Sequence, residues 1–254
     1  MSASGLALIV RDAGAVWQVV LQTDHADLSA ACARSWADTG SRHASLVVAA
    51  ERHDDGWAVW EQAPLIEPGT GRPLNFLDVQ VPAHLAFYRA GIAAITDDDP
   101  YAGLLVSMHG AGIYRHRYGA QPELELRRAA EVMHLVEAFV AEQESGYAAR
   151  VETIGVSDEE RWDDYRRLQV YDRFSLYFCL RDVEAGEADD IGGFRLEPLG
   201  SGRVRMSPYP FDSEGECFSL LRRMLPKRAW ALDEFRETFF GTPPERLEIQ
   251  VVPG

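Results

Sequence analysis

Histidines and aspartates recur in this sequence on helical faces that are otherwise apolar, and a fold that buries those faces must find partners for the ionisable groups. His25 shares its spacing with Leu28, Cys32 and Trp36. Looking back from His53, the same face carries Ala50, Ala49 and Leu46; behind His109 it carries Val106, Leu105 and Ala102. His84 is followed at helical spacing by Phe87, Tyr88 and Ile92. Asp172 interrupts a stripe of Tyr165, Leu168, Leu176 and Cys179, where an ionised carboxylate is costly unless it meets a cation or strong donors. Taken singly, each histidine reads as a hydrogen-bonded core residue, and Asp172 as the partner of Arg166 or Arg173. Taken together, five helices each turn one such group inward, and one of them carries a His53-Asp54 doublet. A divalent cation would neutralise the acids and satisfy the imidazoles at once.

The remaining pattern frames these helices with β-structure. Leu6 to Gln22 alternates around Asp12-Ala13-Gly14 and reads as a hairpin. Helical spacing begins near residue 24, with Asp24 as N-cap, and further helices are expected at about 41–54, 83–95, 101–115 and 122–145. Ser157-Asp158-Glu159-Glu160 is a capping box that opens a helix running to about Leu180. Residues 61–82 form a Pro/Gly-punctuated stretch, which is either a functional loop or a connector packed by Leu74, Phe76 and Leu77. Beyond Arg181 come strand-like runs at 203–206 and 247–252, with a short helix at about 228–240. The expected fold is therefore mainly α: one domain over 1–254, with a helical core over 24–180 and peripheral β-structure from 1–22 and 181–254.

Charge and cysteine usage narrow the function. With 25 basic and 40 acidic residues the formal charge is −15, which argues against a nucleic-acid coat and against docking on anionic lipid. Cys32, Cys179 and Cys217 form no CxxC pair, so neither a disulfide framework nor a zinc ribbon is expected. No apolar run reaches the ~18 residues of a membrane span. The expectation is a soluble cytoplasmic protein acting on a small molecule, with no nucleic-acid or membrane partner.

The order His25, His53-Asp54, His84, His109, Asp172 resembles the H…HD…H…H…D signature of HD-domain metalloenzymes of the binuclear type. The intervals are 28, 30, 25 and 63 residues, which suit ligands carried on successive helices of a bundle. The resemblance covers about residues 24–180. The run His53-Asp54-Asp55-Gly56-Trp57 followed by Trp60 also resembles an uncharacterised bacterial family of unknown function. The HD resemblance implies an HD-like helical bundle holding two metals. His25, His53, Asp54 and Asp172 would hold the first, and His84 and His109 the second, with Asp54 bridging. Nitrogen-rich ligation without thiolate suits Fe, Mn or Zn, and the resemblance puts iron first.

Two chemistries are compatible with that ligand set. The leading one is hydrolysis of a small phosphate ester with a metal-bridging hydroxide as nucleophile. The alternative is a di-iron oxygenase that cleaves a polyol or phosphonate, and a non-catalytic metal-binding protein is a third reading. Many HD enzymes carry a Lys or Arg three residues after the Asp of the doublet, where this chain has Trp57. A phosphate anchor must then come from elsewhere: Arg89, Arg115 and Arg117 are candidates, each of which could instead pair with a surface acid. Asp54, Asp55 and Arg115 are the residues singled out for catalysis; Asp55 either orients a ligand histidine or only ends its helix. Trp57 and Trp60 either line the site or belong to the core. His109-Gly110-Ala111-Gly112 is similar to an esterase oxyanion loop, but no GxSxG nucleophile elbow accompanies it. Asp97-Asp98-Asp99 reads as a solvated loop and helix start, and His43, His116 and His134 fall outside the signature.

Overall fold

A computed structural model describes residues 8–58, 61–122 and 130–254. Trp60 and the first part of the helix expected at 122–145 lie outside these residues. The chain opens with the expected hairpin, β1 (Ile9–Ala13) and β2 (Val16–Val20), and then enters α1 (Gln22–Ser35) and α2 (His43–Arg52). After a 3-10 turn at Asp55–Trp57 and the long connector come α3 (Val81–Asp98), α4 (Pro100–Gly112), α5 (Met133–Ser145), α6 (Tyr147–Ile154) and α7 (Asp158–Leu180). The C-terminal part holds β3 (Asp189–Asp190), β4 (Arg195–Gly200), β5 (Arg203–Ser207), β6 (Glu216–Pro226), α8 (Leu232–Gly241) and β7 (Glu245–Pro253).

The fold is mixed α/β, not a mainly α bundle with peripheral strands. About half of the chain is helical, and the strands from both chain ends form one seven-stranded mixed sheet curled into a half-barrel. Its order is β1-β2-β6-β7-β5-β4-β3, antiparallel except for the parallel pair β5–β7. The eleven-residue β6 joins the two ends, pairing with β2 through Val19 and Arg223 and with β7 through Phe218 and Ile249. Leu196, Val204, Met206, Phe218, Leu220, Ile249 and Val251 share a continuous buried core with Phe174 and Phe178 of α7 and with Leu28 and Cys32 of α1. The sheet is thus the support on which α1 and α7 rest. Among the described residues no helix is long and apolar enough to cross a membrane.

Local chemistry explains the helix ends. Asp99 caps α4, its carboxylate accepting from the amides of Tyr101 and Ala102, with Pro100 in the first turn. Ser157 caps α7 by accepting from Glu160 N, whereas the Glu160 carboxylate turns to Ser41 instead of closing the box. The first helix begins at Gln22, earlier than Asp24 suggests, because a distant residue caps it. Glu61 accepts from Gln22 N at 2.5 Å, from Thr23 N at 3.2 Å and from Thr23 Oγ1 at 2.7 Å. This bond set ties the 61–82 connector to the helix that carries His25.

Gly56 shows why the doublet is followed by Asp55-Gly56. A Cβ there would lie 2.2 Å from the Phe87 carbonyl oxygen, so glycine lets the turn after Asp54 press against the backbone of α3. Replacing Gly56 by Ala forces two backbone segments apart, and we expect a destabilisation of about 1–3 kcal/mol. Thermal unfolding of Gly56→Ala against the parent chain checks this; an unchanged Tm would show that the contact yields without cost.

Candidate metal centre

Two helices and one helix end bring four donor residues together. His25 comes from α1, His53 and Asp54 from the residues just past α2, and Asp172 from the middle of α7. All four side chains are buried. His25 Nε2 lies 3.1 Å from His53 Nε2, 3.3 Å from Asp54 Oδ2 and 3.6 Å from Asp172 Oδ1. His53 Nε2 lies 3.7 Å from both Asp54 Oδ2 and Asp172 Oδ1. Metal–ligand bonds of about 2.0–2.2 Å place neighbouring ligands about 3.3–3.6 Å apart in a tetrahedron and about 2.8–3.1 Å apart in an octahedron. The observed separations run from 3.1 to 3.7 Å, nearer to the tetrahedral spacing than to the octahedral one.

The outer hydrogen bonds aim both imidazoles correctly. His53 Nδ1 donates to the Ala50 carbonyl at 2.8 Å, an acceptor only, so in the neutral ring Nε2 carries a lone pair. His25 Nδ1 lies 2.6 Å from Ser175 Oγ, whose own proton goes to the Asp172 carbonyl at 2.9 Å. Ser175 therefore accepts from His25 Nδ1–H, which leaves His25 Nε2 a lone pair as well. Two lone pairs and two carboxylates converging in a buried space are mutually repulsive until a cation occupies it. The residues fit a divalent metal.

Electrostatics point the same way. Burial by itself would push the His53 imidazole down, but Asp54 and Asp172 outweigh it and raise it to about 9. At Asp54 burial is overridden by His53 and His25, and the carboxyl falls to about 2. Asp172 is likewise held far below the usual carboxylate range, against burial, by His53 and Arg117. His109 moves oppositely: burial and then the Arg117 charge lower it to about 3, so it is neutral.

The other residues singled out from the sequence are placed differently. His25, His53 and Asp172 form one group of donor atoms within 4.8 Å of one another, and His53, Asp54 and His109 form a second, so that His53 is common to both. His84 lines the same cavity but belongs to neither donor group; its Nδ1 meets Tyr114 Oη at 2.5 Å and its ring lies edge-on to Trp57. Asp55 is not in the site, because its carboxylate pairs with Arg52 at 2.6 Å on the helix end. Arg115 is not in the site either: it points outward and pairs with Glu144 at 3.3 Å. Arg89 similarly pairs with Glu142. Of the three arginines, Arg117 reaches the centre, with Nη1 at 2.8 Å from Gln169 Oε1 and 3.4 Å from Asp172 Oδ2.

Three further residues complete the centre. Gln169 and Ser175 flank Asp172 at three-residue spacing on α7, the interval that repeats a helix face, and that was the signal available for them. Tyr88 lies one turn beyond His84, and its hydroxyl is 3.2 Å from Asp54 Oδ1 and 3.4 Å from His109 Nε2. A Cβ on Gly110 would sit 2.8 Å from the Tyr88 ring, so the glycine after His109 seats this tyrosine against α4. The centre forms the floor of a cavity of about 480 Å³ whose walls include Phe76, Leu77, Ile113, Leu176, Leu180 and Ile191. Trp57, which is buried, also borders it.

The chain belongs to the DUF3891 family, proteins of unknown function. The family model matches residues 8–227, a span that contains every residue of the centre. No curated protein and no solved structure matches the chain.

The charge balance gives a test with a defined sign. A raised His53 stabilises the metal-free fold fully below its unfolded value, about 6.5, and that contribution disappears as pH rises through about 9. A lowered Asp54 contributes above about 3.9 and is lost as pH falls through about 2. Chelator-treated protein should therefore lose Tm between pH 6.5 and 9, whereas protein loaded with Zn or Mn should not, because the cation replaces the His53 proton. Parallel pH profiles of Tm for the two forms would refute this if the metal-free curve stayed flat.

Proposed function

We propose that this protein is a metal-dependent hydrolase of a phosphate ester, built on an HD-type ligand order. The observation that carries the reading is the buried four-donor cluster of His25, His53, Asp54 and Asp172, with Arg117 beside it on the cavity floor. A bound Fe, Mn or Zn supplies Lewis-acid activation of water and of a phosphoryl oxygen.

The chain's own residues supply the rest. Two carboxylates balance the charge of a divalent cation, so the four ligands and the metal together carry no net charge despite their burial. Ser175 and the Ala50 carbonyl hold the two imidazoles in register. Arg117 is positioned by Gln169 and Asp172 and borders the cavity, where it would bind a non-bridging phosphate oxygen. The apolar wall of Leu176, Leu180, Ile191 and Phe76 favours an ester whose body is hydrophobic over a highly charged one.

The test is hydrolysis of an aryl phosphomonoester and of an aryl phosphodiester by protein reconstituted with Mn, Fe or Zn. Activity should depend on added metal and fall at least about a thousandfold in Asp172→Ala, in which the cluster loses a ligand. Arg117→Ala should raise KM by about 10–100-fold, as expected for losing a charge-assisted hydrogen bond, while retaining bound metal. Metal-loaded protein that hydrolyses neither ester would overturn the reading.

A further inference from the structure

The hydrogen bonds around His109 run in the wrong direction for a second metal. Arg117 can only donate, so the Gln169 atom 2.8 Å from Arg117 Nη1 is the carbonyl Oε1. That fixes the amide, and Gln169 Nε2 then donates to His109 Nδ1 at 3.1 Å. Arg117 Nη1 also faces His109 Nδ1, at 3.3 Å. Two donors meet this nitrogen, so it carries no proton, and the proton of the neutral ring sits on Nε2. From there it points to Tyr88 Oη, 3.4 Å away, and the tyrosine hydroxyl in turn donates to Asp54 Oδ1 at 3.2 Å.

His25 and His53 have the opposite polarity. Each meets an acceptor at Nδ1 and turns a lone pair inward, as a ligating histidine does. At His109 both nitrogens are committed, one accepting and one protonated. The Asp54 oxygen that would bridge to a second metal is already bonded to Tyr88. The described residues therefore do not fit a second cation between Asp54 and His109.

We infer that the chain holds a single metal, and that the Tyr88–His109 pair occupies the second position as a hydrogen-bond donor relay ordered by Arg117 and Gln169. Both Tyr88 and His109 border the cavity, and the N–H and O–H that go to Tyr88 Oη and Asp54 Oδ1 without substrate would turn to a substrate oxygen entering there. A neutral donor pair there suits an ester oxygen and leaves no place for the paired irons that an oxygenase of this ligand order needs. This inference rests on the proposed hydrolase reading only for the identity of that oxygen; the count of metals and the protonation pattern stand apart from it.

Metal content and ring protonation test it separately. Protein saturated with Zn should hold one ion per chain by elemental analysis, and two ions in the parent chain would overturn the inference. In nitrogen-15 spectra of histidine-labelled Zn protein, His109 should show protonated Nε2 and bare Nδ1, while His25 and His53 show protonated Nδ1; a protonated Nδ1 on His109 would also overturn it. The triple variant Arg117→Ala, Gln169→Glu and Tyr88→Phe removes both donors at Nδ1, puts an acceptor there and removes the hydroxyl. It should admit a second ion, and a folded triple variant that still held one would show that hydrogen-bond polarity is not what excludes the other. Protein that binds no metal at all would defeat both the hydrolase reading and the single-metal count, while the histidine spectra would still decide the relay.

Discussion

Two buried carboxylates set the terms for this molecule. Asp54 and Asp172 are buried facing the same pair of imidazole nitrogens, and neither has enough hydrogen-bond donors to stand there ionised alone. Every neighbouring feature answers that demand. Arg117 is drawn to Asp172, Tyr88 to Asp54, and the outer nitrogens of His25 and His53 are occupied so that their inner ones face the acids. A cluster of this kind is stable when its protons or cations are in place and strained when they are removed, which is how metal binding becomes coupled to folding.

The same nitrogen chemistry gives neighbouring histidines different work. His25, His53 and His109 lie within one cluster of rings, with centroids of neighbouring pairs 5.0 and 5.1 Å apart. Their Nδ1 partners separate them: a serine oxygen and a backbone carbonyl accept from the first two, an amide and a guanidinium donate to the third. Ligand and donor are thus distinguished by the groups behind the ring, not by the residue type or its distance from the centre.

That distinction explains how far the sequence could be read. His25, His53, His109 and Asp172 were legible because each breaks an apolar helical stripe, and burial follows the stripe; Asp54 was legible as the neighbour of His53. Asp55 and Arg115 share the neighbourhood in sequence but lie off the stripes, and they turn to Arg52 and Glu144 at the surface. Gln169 and Ser175 carry no charge to draw notice, although their spacing from Asp172 puts them on its face. The sheet was harder still. Short runs at the two chain ends looked like separate edges, and only the long-range pairing of β2 with β6 makes them one surface. Strand pairing across some 200 residues leaves no periodic trace in either partner.

Delivery of Arg117 has its own cost, which bears on why this arginine and not Arg115 reaches the centre. After α4 ends, His116, Arg117 and Tyr118 all adopt left-handed backbone, with φ of 50°, 50° and 51°. None is glycine, and such a conformation costs roughly 1–2 kcal/mol per residue. A right-handed continuation would carry residue 117 onward along the helix axis; the left-handed run folds the chain back so that Arg117 meets Gln169 and Asp172 while Tyr118 packs on Trp162 and Tyr165. The strain persists because the guanidinium is over-determined by three partners and the tyrosine by an aromatic cluster. A segment that served only to connect α4 to α5 would have no reason to retain it, so the turn itself marks Arg117 as a side chain whose position matters more than its backbone's ease.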